Sequence, residues 1–223
     1  MKLRISVTSI KTDRLVREDA SHLRGYIGNR FKGNILLHQH PDDGEILYAY
    51  PRVQYKIIDG NPLIIALEDG VEAVRDILGA LDRLELSKSV YRVESVSTTE
   101  REVEVGASRE PLDYEFITSW LALNQRNYEK YRGTESWALR KALLNSVLVG
   151  NVLSFSKAFG YYVKPVLRVR SILDEERVRF KGLNVIGFKG RFSIGFRLPD
   201  LIGLGKGASQ GFGTIKLRKR VEK

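Results

Sequence analysis

The sequence predicts an α+β chain made of two successive sheet-and-helix units, and three observations carry that prediction. Short segments of alternating apolar and polar residues recur through both halves, which is strand spacing. Stretches with apolar residues three and four apart stand between them, which is helix spacing. A glycine-rich stretch near the C-terminus occupies the place where the second unit needs its last helix. With 223 residues the chain can bury one large core or two of about 100 residues each.

In the first half, residues 2–10 put Leu3, Ile5 and Val7 on one side and read as a strand. Ser21 is a candidate N-cap for a helix over residues 21–31, with Leu23, Ile27 and Phe31 on its apolar face. A polar loop with His38, His40, Pro41, Asp42, Asp43 and Gly44 follows. Residues 46–58 and 62–67 read as strands joined at Asp59-Gly60, a hairpin dipeptide. A second helix is predicted over 70–84 from Val71, Val74, Ile77, Leu78 and Leu81, and residues 91–105 alternate again. The order is βαββαβ, the ferredoxin-like (RRM-like) arrangement.

Residues 106–111 read as the seam, which divides the chain into domains 1–106 and 112–223. Beyond it, residues 112–120 fit a strand or a short helical lead. A long helix is predicted over 135–159, then strands over 163–172, 177–180, 183–188, 192–198 and 213–217. The fold expected is therefore two tandem ferredoxin-like domains, the second with a glycine-rich loop in place of a full second helix.

Charge separates the halves. Residues 1–105 hold 15 Lys+Arg and 17 Asp+Glu, a net of −2, and residues 106–223 hold 22 and 10, a net of +12. A cationic excess confined to one half points to a polyanion, with a salt-adapted or heat-adapted surface as the alternative. Cysteine is absent, which excludes disulfides and thiolate metal sites. No run of about 18 apolar residues is present and no charged-then-apolar leader is read, so a cytoplasmic protein without a membrane partner is expected.

Two stretches carry candidate chemistry. Gly203, Gly205, Gly207, Gly211 and Gly213 surround Lys206, Ser209 and Gln210. Nucleotide-loop and dinucleotide registers both fail here, because the stretch leads into a strand. It is either a turn or a loop that follows a sugar-phosphate backbone or packs on the other domain. His38 and His40 fall in one polar loop. Imidazoles suit acid–base work near neutral pH, and in an extended segment the two would point to one side. From the residues alone, ligation of zinc or copper with Asp42 and Asp43, or a merely solvated pair, stays open. His22 falls within the first helix and reads as structural. Tyr48 and Tyr50 alternate on one strand beside the loop, fit either to touch a phosphate or base or to be half-buried. Arg168, Arg170, Arg177, Arg179, Lys181, Lys189, Arg191 and Arg197 lie on or beside adjoining strands and suit RNA recognised by backbone shape, or are ordinary strand solvation.

The stretch LIGLGKGASQGFGTIK (201–216) resembles the C-terminal glycine motif of the repeat-associated RNA-binding superfamily of CRISPR systems. LLHQHPDDGEILYAYPRVQYKIIDGNP (36–62), WLALNQRNYEKY (120–131) and VGNVLSF (149–155) add matches in the right order. The chain thus resembles the CRISPR-associated repeat-processing endoribonucleases, in the subgroup with a paired-histidine loop. That resemblance implies two ferredoxin-like domains that bind CRISPR repeat RNA and cut the precursor transcript without metal or other cofactor. Attack by the 2′-hydroxyl would leave a 2′,3′-cyclic phosphate and a 5′-hydroxyl. It makes His38 and His40 the acid–base pair, with Tyr48 in support and Arg30, the basic position at the end of the first helix, on the scissile phosphate; Lys32 follows as an RNA contact. A non-catalytic RNA-binding subunit of a CRISPR effector complex would share fold and glycine loop, and the histidine pair argues against it. Homodimer and effector complex are both left open.

Overall fold

The computed structural model describes residues 1–38 and 50–218, and His38 by its backbone alone. The first unit runs β1 (Lys2–Thr12), α1 (Ala20–Arg30), α2 (Ile35–His38), β2 (Val53–Ile58), β3 (Asn61–Leu67), α3 (Gly70–Arg75), β4 (Arg83–Leu86) and β5 (Ser89–Glu104). Its sheet has the order β2-β3-β1-β5-β4, so β5 closes the ferredoxin-like order and β4 is an added edge. Asp59 and Gly60 have φ of 50° and 77°, the double positive φ of a tight hairpin turn, and pairing starts at Ile58↔Asn61.

Asp19, two residues earlier than the predicted Ser21, caps α1, its carboxylate accepting the Ser21 amide at 3.0 Å. Leu23 and Ile27 of α1 pack with Val71 and Val74 of α3 on Val53, Tyr55, Ile64 and Ala66 of the sheet. The helix predicted over 70–84 is shorter. It stops at Arg75, a 3-10 turn covers Leu78–Ala80, and Leu84 belongs to β4. Its apolar positions Ile77, Leu81 and Leu84 are buried all the same, because turn and strand turn them into the same core.

The second unit runs β6 (Gly106–Trp120), α4 (Gln125–Arg132), α5 (Trp137–Ala158), β7 (Val169–Phe180), β8 (Leu183–Arg197) and β9 (Ile215–Leu217), in the order β7-β8-β6-β9. The predicted seam 106–111 is the start of β6, with only Val105 between it and β5. α4, not predicted, begins at Asn124, whose side chain accepts the Asn127 amide at 2.8 Å. The predicted strand pairs 163–172 with 177–180 and 183–188 with 192–198 are single strands in an unbroken register from Val169↔Ile194 to Phe180↔Leu183. Glycine lets β8 run through, since a Cβ at Gly190 (φ +132°) would fall 2.2 Å from the Ile172 carbonyl oxygen.

Leu144, Leu148, Val152 and Phe155 form the inner stripe of α5. Tyr114 stacks on Phe192 at 5.4 Å and Phe116 on Trp120 at 5.2 Å in the aromatic core beneath. No α-helix joins β8 to β9. Only the 3-10 turn Ala208–Gln210 interrupts that stretch, in agreement with the expected loop. The molecule thus consists of two tandem ferredoxin-like domains, each with an antiparallel sheet. Ser209–Gly211 group with the first compact unit, Lys2–Val103. Among the described residues, no helix is long and apolar enough to cross a membrane.

Candidate active site

His40 and Tyr48 lie outside the described residues, as does the His38 side chain. What the structure does give is the mount on which the histidine loop begins. Asn34 accepts the Leu36 amide at 3.1 Å and opens the short helix α2. Leu37 is buried, and its carbonyl accepts a 2.9 Å hydrogen bond from the hydroxyl of Tyr55, itself fully buried on β2. The backbone entering His38 is therefore fixed from the core, by a donor that would be costly to leave unpaired.

On the opposite face of β2 lies a buried polar chain that the alternation pattern hides. Gln54 and Lys56 are both fully buried, and the Lys56 Nζ donates to Gln54 Oε1 at 3.1 Å. Gln54 also hydrogen-bonds the Tyr50 hydroxyl, whose ionisation burial pushes above the usual phenol range. Burial pulls the Lys56 ammonium down to about 7, because the low-dielectric surroundings penalise the charged form. A lysine in that state can give or take a proton near neutrality. In the sequence Lys56 looks like an outward strand residue. The signal that could have found it is a strand flanked on both faces by buried neighbours.

Arg30 is committed to the fold. Its guanidinium donates to the Tyr26 hydroxyl, to the Ala80 carbonyl at 2.7 Å and to Asp82 at 3.1 Å. Those bonds, Tyr26 first and Asp82 next, raise its pKa further. The geometry makes it a clamp between α1 and the turn before β4, which weighs against the expected role at a phosphate. Lys32 is exposed just beyond α1. His22 sits on α1 with Nδ1 3.0 Å from Asp19, a local pair at the helix start that fits its structural reading.

The expected basic face of the second unit is split. Arg168 precedes β7. Arg170 and Arg177 are an odd number of residues apart on one continuous strand and so face opposite sides of the sheet. The helix side is the one with Ser171, bonded to Asn145 of α5 at 2.6 Å, and Arg177 and Arg179 share that side near the hairpin end. Arg170, Lys189 and Arg191 occupy the other side, interleaved with Asp113, Glu115 and Asp174. All seven of the cations placed on these strands and just before them, Arg168, Arg170, Arg177, Arg179, Lys189, Arg191 and Arg197, are exposed.

Outside Ser209–Gly211, the glycine stretch is packed against the second domain. The amides of Leu204, Phe212 and Gly213 bond the carbonyls of Gly213, Gly207 and Ser119 at 2.9, 3.2 and 2.8 Å. A Cβ at Gly213 (φ +62°) would fall 2.0 Å from the Leu204 oxygen, and one at Gly205 2.7 Å from Trp120 Nε1. Gly207 lies against Phe180 and Phe212. Lys206 holds its Nζ 5.2 Å from the Phe180 ring, and Ser209 and Gln210 are half-buried in the 3-10 turn. Glycine here serves close packing first. Among the described residues no cluster of His, Asp and Glu could hold a metal ion.

Comparison with known proteins covers nearly all of the chain. A family model described as the Cas6b N-terminal domain matches residues 1–104, and one described as the Cas6b C-terminal domain matches residues 106–218. A protein of Methanocaldococcus jannaschii is 36% identical over 141 residues, which is 63% of this chain and 95% of that protein. A crystal structure of Cas6b is similar with a TM-score of 0.91 and 34% identity, covering 98% of this chain and 100% of that one. A crystal structure of the CRISPR RNA processing endoribonuclease Cas6b is similar with a TM-score of 0.79 and 33% identity over 98% of this chain and 100% of that one. A Cas6-related protein from Pyrococcus furiosus, at 11% identity and a TM-score of 0.56 over 99% of each chain, shares the fold.

Proposed function

Because the chain belongs to the Cas6b family, we propose that it binds CRISPR repeat RNA and cuts the precursor transcript as an endoribonuclease that needs no metal. The observation that carries this reading is the likeness along 98% of the chain, at 34% identity, to a solved Cas6b. In the proposed reaction one imidazole of the His38–His40 pair takes the proton of a ribose 2′-hydroxyl as that oxygen attacks the adjacent phosphorus. The other gives a proton to the departing 5′-oxygen, so the products are a 2′,3′-cyclic phosphate and a 5′-hydroxyl. The Tyr48 hydroxyl assists at a phosphate oxygen. The buried mount at Leu37 and Tyr55 supports the reading, since general acid–base work requires a positioned side chain. Exposed cations of the second unit, Arg168 and Arg170 among them, supply the sequence-independent grip. The work divides between domain 1–106 for chemistry and domain 112–223 for affinity.

The test is incubation with end-labelled repeat RNA in excess EDTA, followed by analysis of product ends. One major cut leaving a cyclic phosphate is expected, with no loss of rate in EDTA. A substrate whose cut-site 2′-hydroxyl is replaced by hydrogen should bind and stay whole. Cleavage of that deoxy substrate would sink the mechanism, and binding without any cleavage of the all-ribo RNA would favour a non-catalytic binding subunit.

A further inference from the structure

Trp137 is the first residue of α5, and its side chain is 69% exposed. Tryptophan is among the side chains most strongly driven from water, and this position asks nothing of it: the Ser136 hydroxyl already caps the helix. One turn along, Lys141 brings its Nζ to 4.9 Å from the indole centroid. That distance is a cation–π contact, which sets the ammonium over one face of an indole that is otherwise largely open to solvent. Residues 125–141 contribute Arg126, Lys130, Arg132, Arg140 and Lys141 against Glu129 and Glu135. An exposed aromatic plate with cations about it is the arrangement that takes a base on its face and a phosphate at its rim.

From this juxtaposition we propose that Trp137 and Lys141 form a stacking platform for an unpaired stretch of the RNA, apart from the cleavage residues. The inference rests on the RNA-binding reading above and sharpens it. An A-form stem keeps its bases stacked on one another and offers no free ring face, so the ligand of such a plate is single-stranded. The charge around the plate favours the polyanion over an apolar protein surface.

The chain contains two tryptophans, and they differ in a way that makes the test direct. Trp120 is fully buried and hydrogen-bonded to Asn151 at 2.9 Å, so a ligand-induced change in emission reports Trp137. The full chain is titrated with a single-stranded oligo(A) RNA and with a blunt RNA duplex of equal phosphate number, while emission and acrylamide quenching are recorded. Oligo(A) should quench the exposed tryptophan and shield it from acrylamide, and the duplex should bind without doing either. Trp137→Ala should weaken oligo(A) binding by about 5- to 150-fold, with Trp137→Phe within about threefold of wild type and duplex affinity unchanged in both. The platform is refuted if oligo(A) binds with unaltered emission, or if Trp137→Ala binds it like wild type. An emission change that follows protein concentration without RNA would assign the plate to a second copy of the chain and refute it too. Failure to bind either RNA removes the RNA-binding reading itself, which is a separate result.

Discussion

The strand order β2-β3-β1-β5 of the first unit and β7-β8-β6-β9 of the second trace the same path, yet the two cores are filled with different matter. The first buries polar groups within its sheet: Ser6, Thr8, Gln54 and Lys56 are all under 2% exposed. The second stacks Tyr114, Phe116, Trp120, Phe188 and Phe192 and spends glycines where the first spends a helix. Buried polar groups cost stability unless they are satisfied, as Lys56 is by Gln54 and Thr8 by Thr98. Aromatic stacking and a tightly folded loop build a rigid carrier for surface charge. On the function proposed above, one architecture serves as reaction vessel in one copy and as grip in the other.

The sharpest test of that division is kinetic. His38→Ala and His40→Ala should each slow single-turnover cleavage by about 10²–10⁴-fold and change RNA affinity by less than about tenfold. If both variants cut at the wild-type rate, the first unit loses its claim to the chemistry. Next in size is the carrier. Gly213→Ala puts a Cβ 2.0 Å from the Leu204 oxygen and should cost about 3 kcal/mol in urea unfolding. Gly25→Ala on α1, where the Cβ meets nothing, should gain about 0.5–1 kcal/mol. Equal effects at the two sites would erase the contrast between packed loop and ordinary helix.

Lys56 gives a pH signature. Its pKa is lowered from 10.5 to about 7 in the folded chain, so between those values the unfolded state holds more protons. Stability from this group therefore rises with pH across that window and is lowest below about 7. Lys56→Met should stabilise the protein by about 2–4 kcal/mol at pH 6, and the gain should shrink toward pH 10. A Tm difference that does not change with pH would show that the lysine is buried without being discharged. The smallest effect belongs to single surface cations. Arg170→Gln should weaken RNA binding a few-fold and lower the slope of log K against log salt by about one. An unchanged slope would remove Arg170 from the grip.

Much of this was legible in the residues, and the gaps have physical causes. The Asp59-Gly60 turn, the α1 stripe, the long helix α5 and the missing last helix follow from local chemistry that tertiary packing does not override. In the sequence the strand β7 reads as two fragments, because Asp174, Glu175 and Glu176 look like a break. In the fold, Glu176 accepts the Ser119 hydroxyl and Glu175 the Tyr131 hydroxyl, and the strand continues. α4 leaves little apolar signal in the sequence, because it buries only Tyr131. The family was legible from four motifs. The clamp at Arg30 was not, since its partners Ala80 and Asp82 lie some fifty positions away in the chain. Nor was Lys56, whose burial on both sides of a strand has no period of its own.

The last strand has a consequence for the order in which the chain can be made. All five strands of the first sheet are in hand once residue 104 has left the ribosome. β7 and β8 form a local hairpin, but β6 must wait for both β8 and the three residues of β9, pairing Tyr114↔Phe192 and Tyr114↔Leu217. Such distant closures are slow to find, because the entropy of the loop is lost before the contacts form. Synthesis that stalls before Ile215 leaves the β6 edge at Tyr114, Glu115 and Phe116 open, with its backbone donors and acceptors free to capture another strand.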